Sequence, residues 1–198
     1  LSAPHTGRWL SGESGRAAWR ALVEAGFTAL AQPEAWGGFG AGAELSAVCE
    51  AFGEGLVPLP VVGVIASAGQ LLAGLPAESP RREALGRALI DGGTILALAD
   101  DEPGTPAGSR GVSARSQADG WAVDGVVTLV PGGAIAERFV LVADGPGHRT
   151  VLLDVPADAP GLTVQPYRTV DGQGVADLRM VGLRLPPEAR LADGPAAD

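Results

Sequence analysis

The 198-residue chain has no lysine and no asparagine; its 14 basic residues are all arginine, against 23 acidic ones, for a formal net charge of −9. Attraction to a phosphate backbone depends on clustered cations that release counterions, so this balance excludes nucleic acid as a partner. Cysteine occurs once, at Cys49, which rules out an internal disulfide and any cysteine-cluster metal site, and points to the cytoplasm. Histidine occurs only at His5 and His148, far apart and in loop-like surroundings, without the partners that a metal site or a catalytic triad requires. The first residues carry His5 and Arg8 and no unbroken apolar core, so they do not read as a secretion signal. The most apolar stretch, Leu56 to Leu75, is interrupted by Pro58, Pro60, Gly63, Gly69 and Gln70 and is not read as a membrane span. Absence of Lys and Asn beside abundant Ala, Gly and Pro fits a coding bias toward G+C-rich codons, and a first residue other than Met suggests a chain trimmed at its front.

What is present is enough for a folded core, since 46% of the residues are hydrophobic. In the first half the apolar residues recur at helical spacing. Trp19, Leu22 and Val23 mark a helix over 14–26 that Gly26 stops, and Leu45, Val48, Cys49 and Phe52 mark another over 43–54, which makes Cys49 a core residue rather than a reactive thiol. A third helix is expected between Val61 and Leu75. A fourth is punctuated by Ser79 as cap, Pro80 at the first position and Gly92-Gly93 at the end. The Gly-rich run Gly37 to Gly42 has Gly38, Gly40 and Ala43 at the spacing of a dinucleotide loop, but no strand precedes it, so a turn between helices is the better reading.

After Thr94 the period falls from about 3.6 to about 2, and Gly, Pro and Asp turns arrive at short intervals. Strands are expected near 95–100, 112–117, 120–124, 126–130, 138–143, 149–154, 162–167 and 175–185. The expectation is therefore an α+β protein: an N-terminal helical domain over 1–93, then a small antiparallel β-barrel or sandwich over 94–186. The Pro-, Ala- and Asp-rich tail 187–198 reads as a linker toward a further, absent segment.

One stretch organises the second half: Trp121 to Ala143, WAVDGVVTLVPGGAIAERFVLVA. Asp124-Gly125 has the composition of a two-residue hairpin turn, and Pro131-Gly132-Gly133 breaks the following strand into a corner where backbone rather than side chain is exposed. This pattern resembles the middle β-domain of the acyl-CoA dehydrogenases, in which the corner lies against the flavin. Three more stretches are similar to that family: Pro33-Glu34-Ala35-Trp36-Gly37-Gly38 to its interhelical Pro-Glu-x-x-Gly-Gly loop, LALADDEPGTPAGS (Leu96 to Ser109) to its flavin- and substrate-contacting strand and loop, and VADLRMVGLRLPPEARL from Val175 to a strand pair ending in Val-Pro-x-x-x-Leu. The resemblance runs from about residue 16 to 194.

The resemblance implies α,β-dehydrogenation of an acyl-CoA thioester with hydride transfer to FAD, an electron-transfer flavoprotein as acceptor, and a homo-oligomer or a heteromer with a related subunit. It places the cofactor against Leu98, Asp100, Asp101, Leu129, Val130 and Pro131, and the acyl-CoA against Ala107 and Ser109. The family's catalytic base is a glutamate of a C-terminal helical domain, which this chain does not contain, so no Glu here is nominated. The flavin-contacting side chains depart from the family. Asp101 stands where its Thr does, and Leu129-Val130-Pro131 replaces an aromatic, an aliphatic and then Thr or Ser. Three readings stay open: a conventional FAD enzyme, a degenerate non-catalytic subunit of a heteromeric dehydrogenase, and a non-redox binding or assembly module.

Overall fold

The computed structural model describes residues 13–76, 79–100 and 111–196. Helix α1 (Glu13–Glu24) buries Trp19 and Leu22 and ends on Gly26, at φ 80°. A turn containing the short 3-10 segment Glu34–Trp36 leads to α2 (Gly42–Glu54), so the Gly-rich run joins helices and no β-α-β unit surrounds it. Glu44 accepts a hydrogen bond from the Ala41 amide at 2.8 Å at the start of α2. Cys49 is half-buried on α2 against the helical core.

The expected third helix is a π-helical segment, Val62–Gly69, that continues as α3 (Gln70–Gly74). Helix α4 (Pro80–Ile90) follows the cap foreseen for it, the Ser79 hydroxyl accepting from the Arg82 amide at 3.4 Å. The Pro33–Gly38 loop is docked on α4. Trp36 lies under the Arg82 guanidinium, 4.8 Å from its ring centroid, and a Cβ on Gly86 would meet the indole at 2.4 Å. Arg87 donates to the Ala35 carbonyl at 2.6 Å.

Eight strands follow: β1 (Leu96–Ala99), β2 (Val112–Gln117), β3 (Gly120–Pro131), β4 (Arg138–Asp144), β5 (Arg149–Pro156), β6 (Leu162–Arg168), β7 (Gly174–Leu185) and β8 (Arg190–Ala196). They form one sheet in the order β6-β7-β3-β2-β4-β5-β8, with β1 paired to β4. Three expectations change. The sheet is mixed rather than purely antiparallel, because β1 and β2 both run parallel to β4. Asp124-Gly125 is no hairpin turn; β3 passes straight through it opposite a bulge in β7, and the turn is at 118–119, between Gln117 and Gly120. The tail is not an irregular linker, since β8 pairs with β5 on an edge of the sheet, where a proline does not break a ladder.

Strand β4 shows why Phe139 to Ala143 is apolar at every position. Phe139, Leu141 and Ala143 enter the core enclosed by the sheet, while Val140 and Val142 enter the core shared with the helices. A strand covered on both faces loses the polar alternation of a half-exposed one. Phe139, Leu141, Val155, Leu162, Leu178 and Met180 meet one another, so β4-β5 and β6-β7 face each other across the enclosed core. Among the described residues no helix is long and apolar enough to cross a membrane.

Candidate functional site

The corner at the end of β3 is built by a bulge. The ladder to β7 is regular from Gly125–Met180 to Val127–Leu178, slips, and resumes at Val130–Ala176 and Pro131–Val175. Within the slip Leu129 takes φ 59°, a conformation that costs a non-glycine residue about 1–3 kcal/mol unless its surroundings impose it. Asp177, across the bulge on β7, imposes it: its Oδ1 accepts the Leu129 amide at 2.9 Å and the Tyr167 hydroxyl at 2.8 Å. Leu129 is left 54% exposed.

The helical layer meets the sheet at the same corner. Gly63 of the π-helical segment lies against Pro131, where a Cβ would come within 2.8 Å of the proline ring, and a Cβ on Gly132 would come within 3.1 Å of Pro60 and Val64. Any side chain in place of hydrogen at 63 would push the helix off the corner.

Of the residues assigned to the site from the sequence, Leu129, Val130 and Pro131 line this corner, with Leu129 and Pro131 exposed and Val130 buried. Leu98 is half-buried in β1 opposite Val140, and Asp100 follows β1, half-exposed and engaged with a partner of its own. Asp101, Ala107 and Ser109 lie outside the described residues. Asp177 and Tyr167 were not foreseen, because nothing in a sequence places a carboxylate 48 positions away opposite a bulge.

The tyrosine gives the corner a measurable signature. Its hydrogen bond to Asp177, then desolvation and the nearby carboxylate charge, hold its pKa above the ordinary value of 10.0. A group whose pKa is raised by folding contributes stability that is complete below its unfolded pKa and is lost as pH rises through the folded one, so this tyrosine's contribution to the corner is intact at neutral pH and is lost above pH 10. Tyr167 is the only tyrosine of the chain, so the tyrosinate absorbance reports it alone. A spectrophotometric titration is expected to place its midpoint above 10, and Asp177→Asn to bring it back toward 10. Equal midpoints in the two proteins would remove Asp177 as the cause.

A flavin edge presents carbonyl oxygens and ring nitrogens that must be met by donors. Pro131 has neither an amide N–H nor a hydroxyl, and the Leu129 amide is committed to Asp177, so the residues at this corner do not fit that edge.

A second cluster lies between α4 and the sheet. Asp154, on β5, is fully buried and accepts from Arg138 Nε at 2.7 Å, Arg138 Nη2 at 2.8 Å and Arg81 Nε at 2.5 Å. These residues wall a crevice of about 430 Å³ that also takes in Asp158, Arg184 and Glu188. With three charge-assisted bonds on one carboxylate, the cluster is a brace holding α4 to β4 and β5.

No sequence model of a protein family matches the chain. Acyl-CoA dehydrogenase FadE27 of Mycobacterium tuberculosis is 30% identical over 178 residues, covering 89% of this chain and 46% of the relative. The ChsE4-ChsE5 complex from Mycobacterium tuberculosis matches with TM-score 0.77 and 30% identity over 90% of this chain and 48% of that one. An acyl-CoA dehydrogenase from Bacillus anthracis in complex with FAD matches at TM-score 0.78 and 20% identity, over 93% of this chain and 33% of that one, a likeness of fold alone. The chain spans about half the length of the curated relatives it matches. Sequence and fold therefore agree over nine-tenths of the chain, which is similar to the N-terminal half of acyl-CoA dehydrogenases.

Proposed function

We propose that the chain is the helical and β-sheet part of a protein that removes hydrogen from the α and β carbons of an acyl-CoA thioester. In this reading FAD is the oxidant of the assembly, an electron-transfer flavoprotein takes the electrons, and the assembly is an oligomer of this chain with itself or a related subunit in the cytoplasm. Residues 1–93 and 94–186 act as its helical and β-domains, with β8 of the tail completing the sheet.

The observation that carries the reading is the closure of the helical layer on the β3 corner, Gly63 on Pro131 and Gly132 on Pro60 and Val64. It makes helices and sheet one continuous wall at the place where the resemblance puts the reacting groups. A wall of this kind holds a packed surface in fixed register against the rest of the assembly, which is this chain's share in positioning the reacting groups. Support also comes from the name of FadE27 and from the pairing of two differently named chains in the ChsE4-ChsE5 complex.

The test is dye reduction by the full-length protein in its native assembly, with a panel of acyl-CoA thioesters and the corresponding free acids. Thioester-dependent reduction is expected, with none from the acids. If no thioester raises the rate above that without substrate, the reading fails.

A further inference from the structure

Each backbone N–H of the β3 corner has an acceptor or a place in the ladder. Leu129 donates to Asp177. Gly132 donates to the Gly174 carbonyl at 3.1 Å, one step beyond the Pro131–Val175 pair. In an antiparallel ladder that bond makes Pro131–Val175 a non-hydrogen-bonded pair and Val130–Ala176 the hydrogen-bonded one, so the Val130 amide belongs to the ladder and proline sits where no donor is needed. Gly133 donates to the Val130 carbonyl at 3.1 Å. Five consecutive positions thus contain no uncommitted backbone donor. The nearest hydroxyl in sequence, Thr128, stands within the slip, before the aliphatic residue and not after it, where the resemblance places a Thr or Ser.

We infer that the Leu129–Gly133 corner of this chain is closed to flavin, with Asp177 as the residue that closes it, so that this chain is a flavin-free member of its assembly and the isoalloxazine is held by another subunit. The inference rests on the reading of the chain as an acyl-CoA dehydrogenase subunit. It changes what the corner is: an acceptor-saturated lip capped by an exposed leucine can pack against a neighbour but offers nothing to the oxygens and nitrogens of a flavin edge. Asp177 is a positioning residue in this scheme. It acts through the backbone of Leu129 and touches neither cofactor nor substrate.

The experiment uses the full-length protein, expressed alone and titrated with FAD, read by quenching of flavin fluorescence and by the visible spectrum. The wild type is expected to purify colourless and to show no saturable binding. Asp177→Ala combined with Pro131→Thr frees one amide and adds a second amide and a hydroxyl, and is expected to bind FAD at least tenfold more tightly than the wild type. Should the double variant fail to fold, Pro131→Thr alone keeps the Asp177 clamp and is expected to show a smaller gain of the same sign. One FAD per chain in the wild type overturns the inference, and so does a folded double variant that binds FAD no better. The two failures can be told apart. A native assembly that dehydrogenates thioesters while this chain carries FAD overturns only the closed corner, whereas an assembly inert toward every thioester overturns the proposed function and with it the other subunit's flavin, and the closed corner then stands or falls by the titration.

Discussion

Asp154→Asn is expected to lower the stability of the protein by about 3 kcal/mol or more, the usual consequence of removing one partner from a buried ion pair. Asparagine keeps the shape and takes away the charge, leaving the Arg81 and Arg138 guanidiniums facing each other without a counter-ion. The side chain of Asp154 is 0% exposed, while those of Arg81 and Arg138 are 41% and 24% exposed. Rehydration of the two arginines therefore holds the cost near the lower end of the range. In a domain of this size about 3 kcal/mol corresponds to a fall in Tm of roughly 6–12 °C, which circular dichroism resolves. Arg81→Ala, at the exposed end of the cluster, is expected to cost less. A loss under about 1 kcal/mol for Asp154→Asn would mean that water, not arginine, satisfies the carboxylate. The effect extends beyond stability, because the brace ties α4 to β4 and β5, and α4 carries the Trp36 loop.

Gly125→Ala is expected to cost about 3 kcal/mol or more, seen as a lower urea midpoint. Gly125 lies in β3 at φ 142°, a region open to glycine alone, and a Cβ there would stand 2.2 Å from the Gly111 carbonyl oxygen and 2.7 Å from the Val112 Cα. Both obstacles are backbone, so no rotamer change relieves them. The same Gly111 oxygen accepts the Val126 amide at 3.2 Å, and a methyl at 125 would break that bond too. Gly172→Ala is the control: it has φ 83° but nothing within 4 Å, and is expected to cost only the left-handed penalty of about 1 kcal/mol. If the two substitutions cost the same, the close approach of Gly111 carries no energy of its own.

Gly125 also shows how far local signals reach. Asp-Gly between apolar runs was a sound reason to expect positive φ, and the backbone there is indeed at positive φ. What the signal cannot specify is whether the chain reverses or runs on at that point. The answer came from β7, which pairs with β3 on both sides of the site, and from Asp124, whose carboxylate accepts the Gly182 amide of that strand at 2.7 Å. The tail departs from its composition for a similar reason. Its composition resembles a loop, and only the open edge of β5 makes a strand of it.

By itself the sequence determined the order of a helical block before a strand block, the cap and stop of α4 and the apolar stripe of α1, because each depends on neighbours a few positions apart whose spacing matches the period of one backbone conformation. Only the tertiary structure decided the parallel pairing of β1 with β4, the burial of Asp154 between two arginines, and the capture of the Leu129 amide by Asp177. Those depend on residues tens of positions apart, and it is the packing of one folded chain that brings such groups within hydrogen-bond distance.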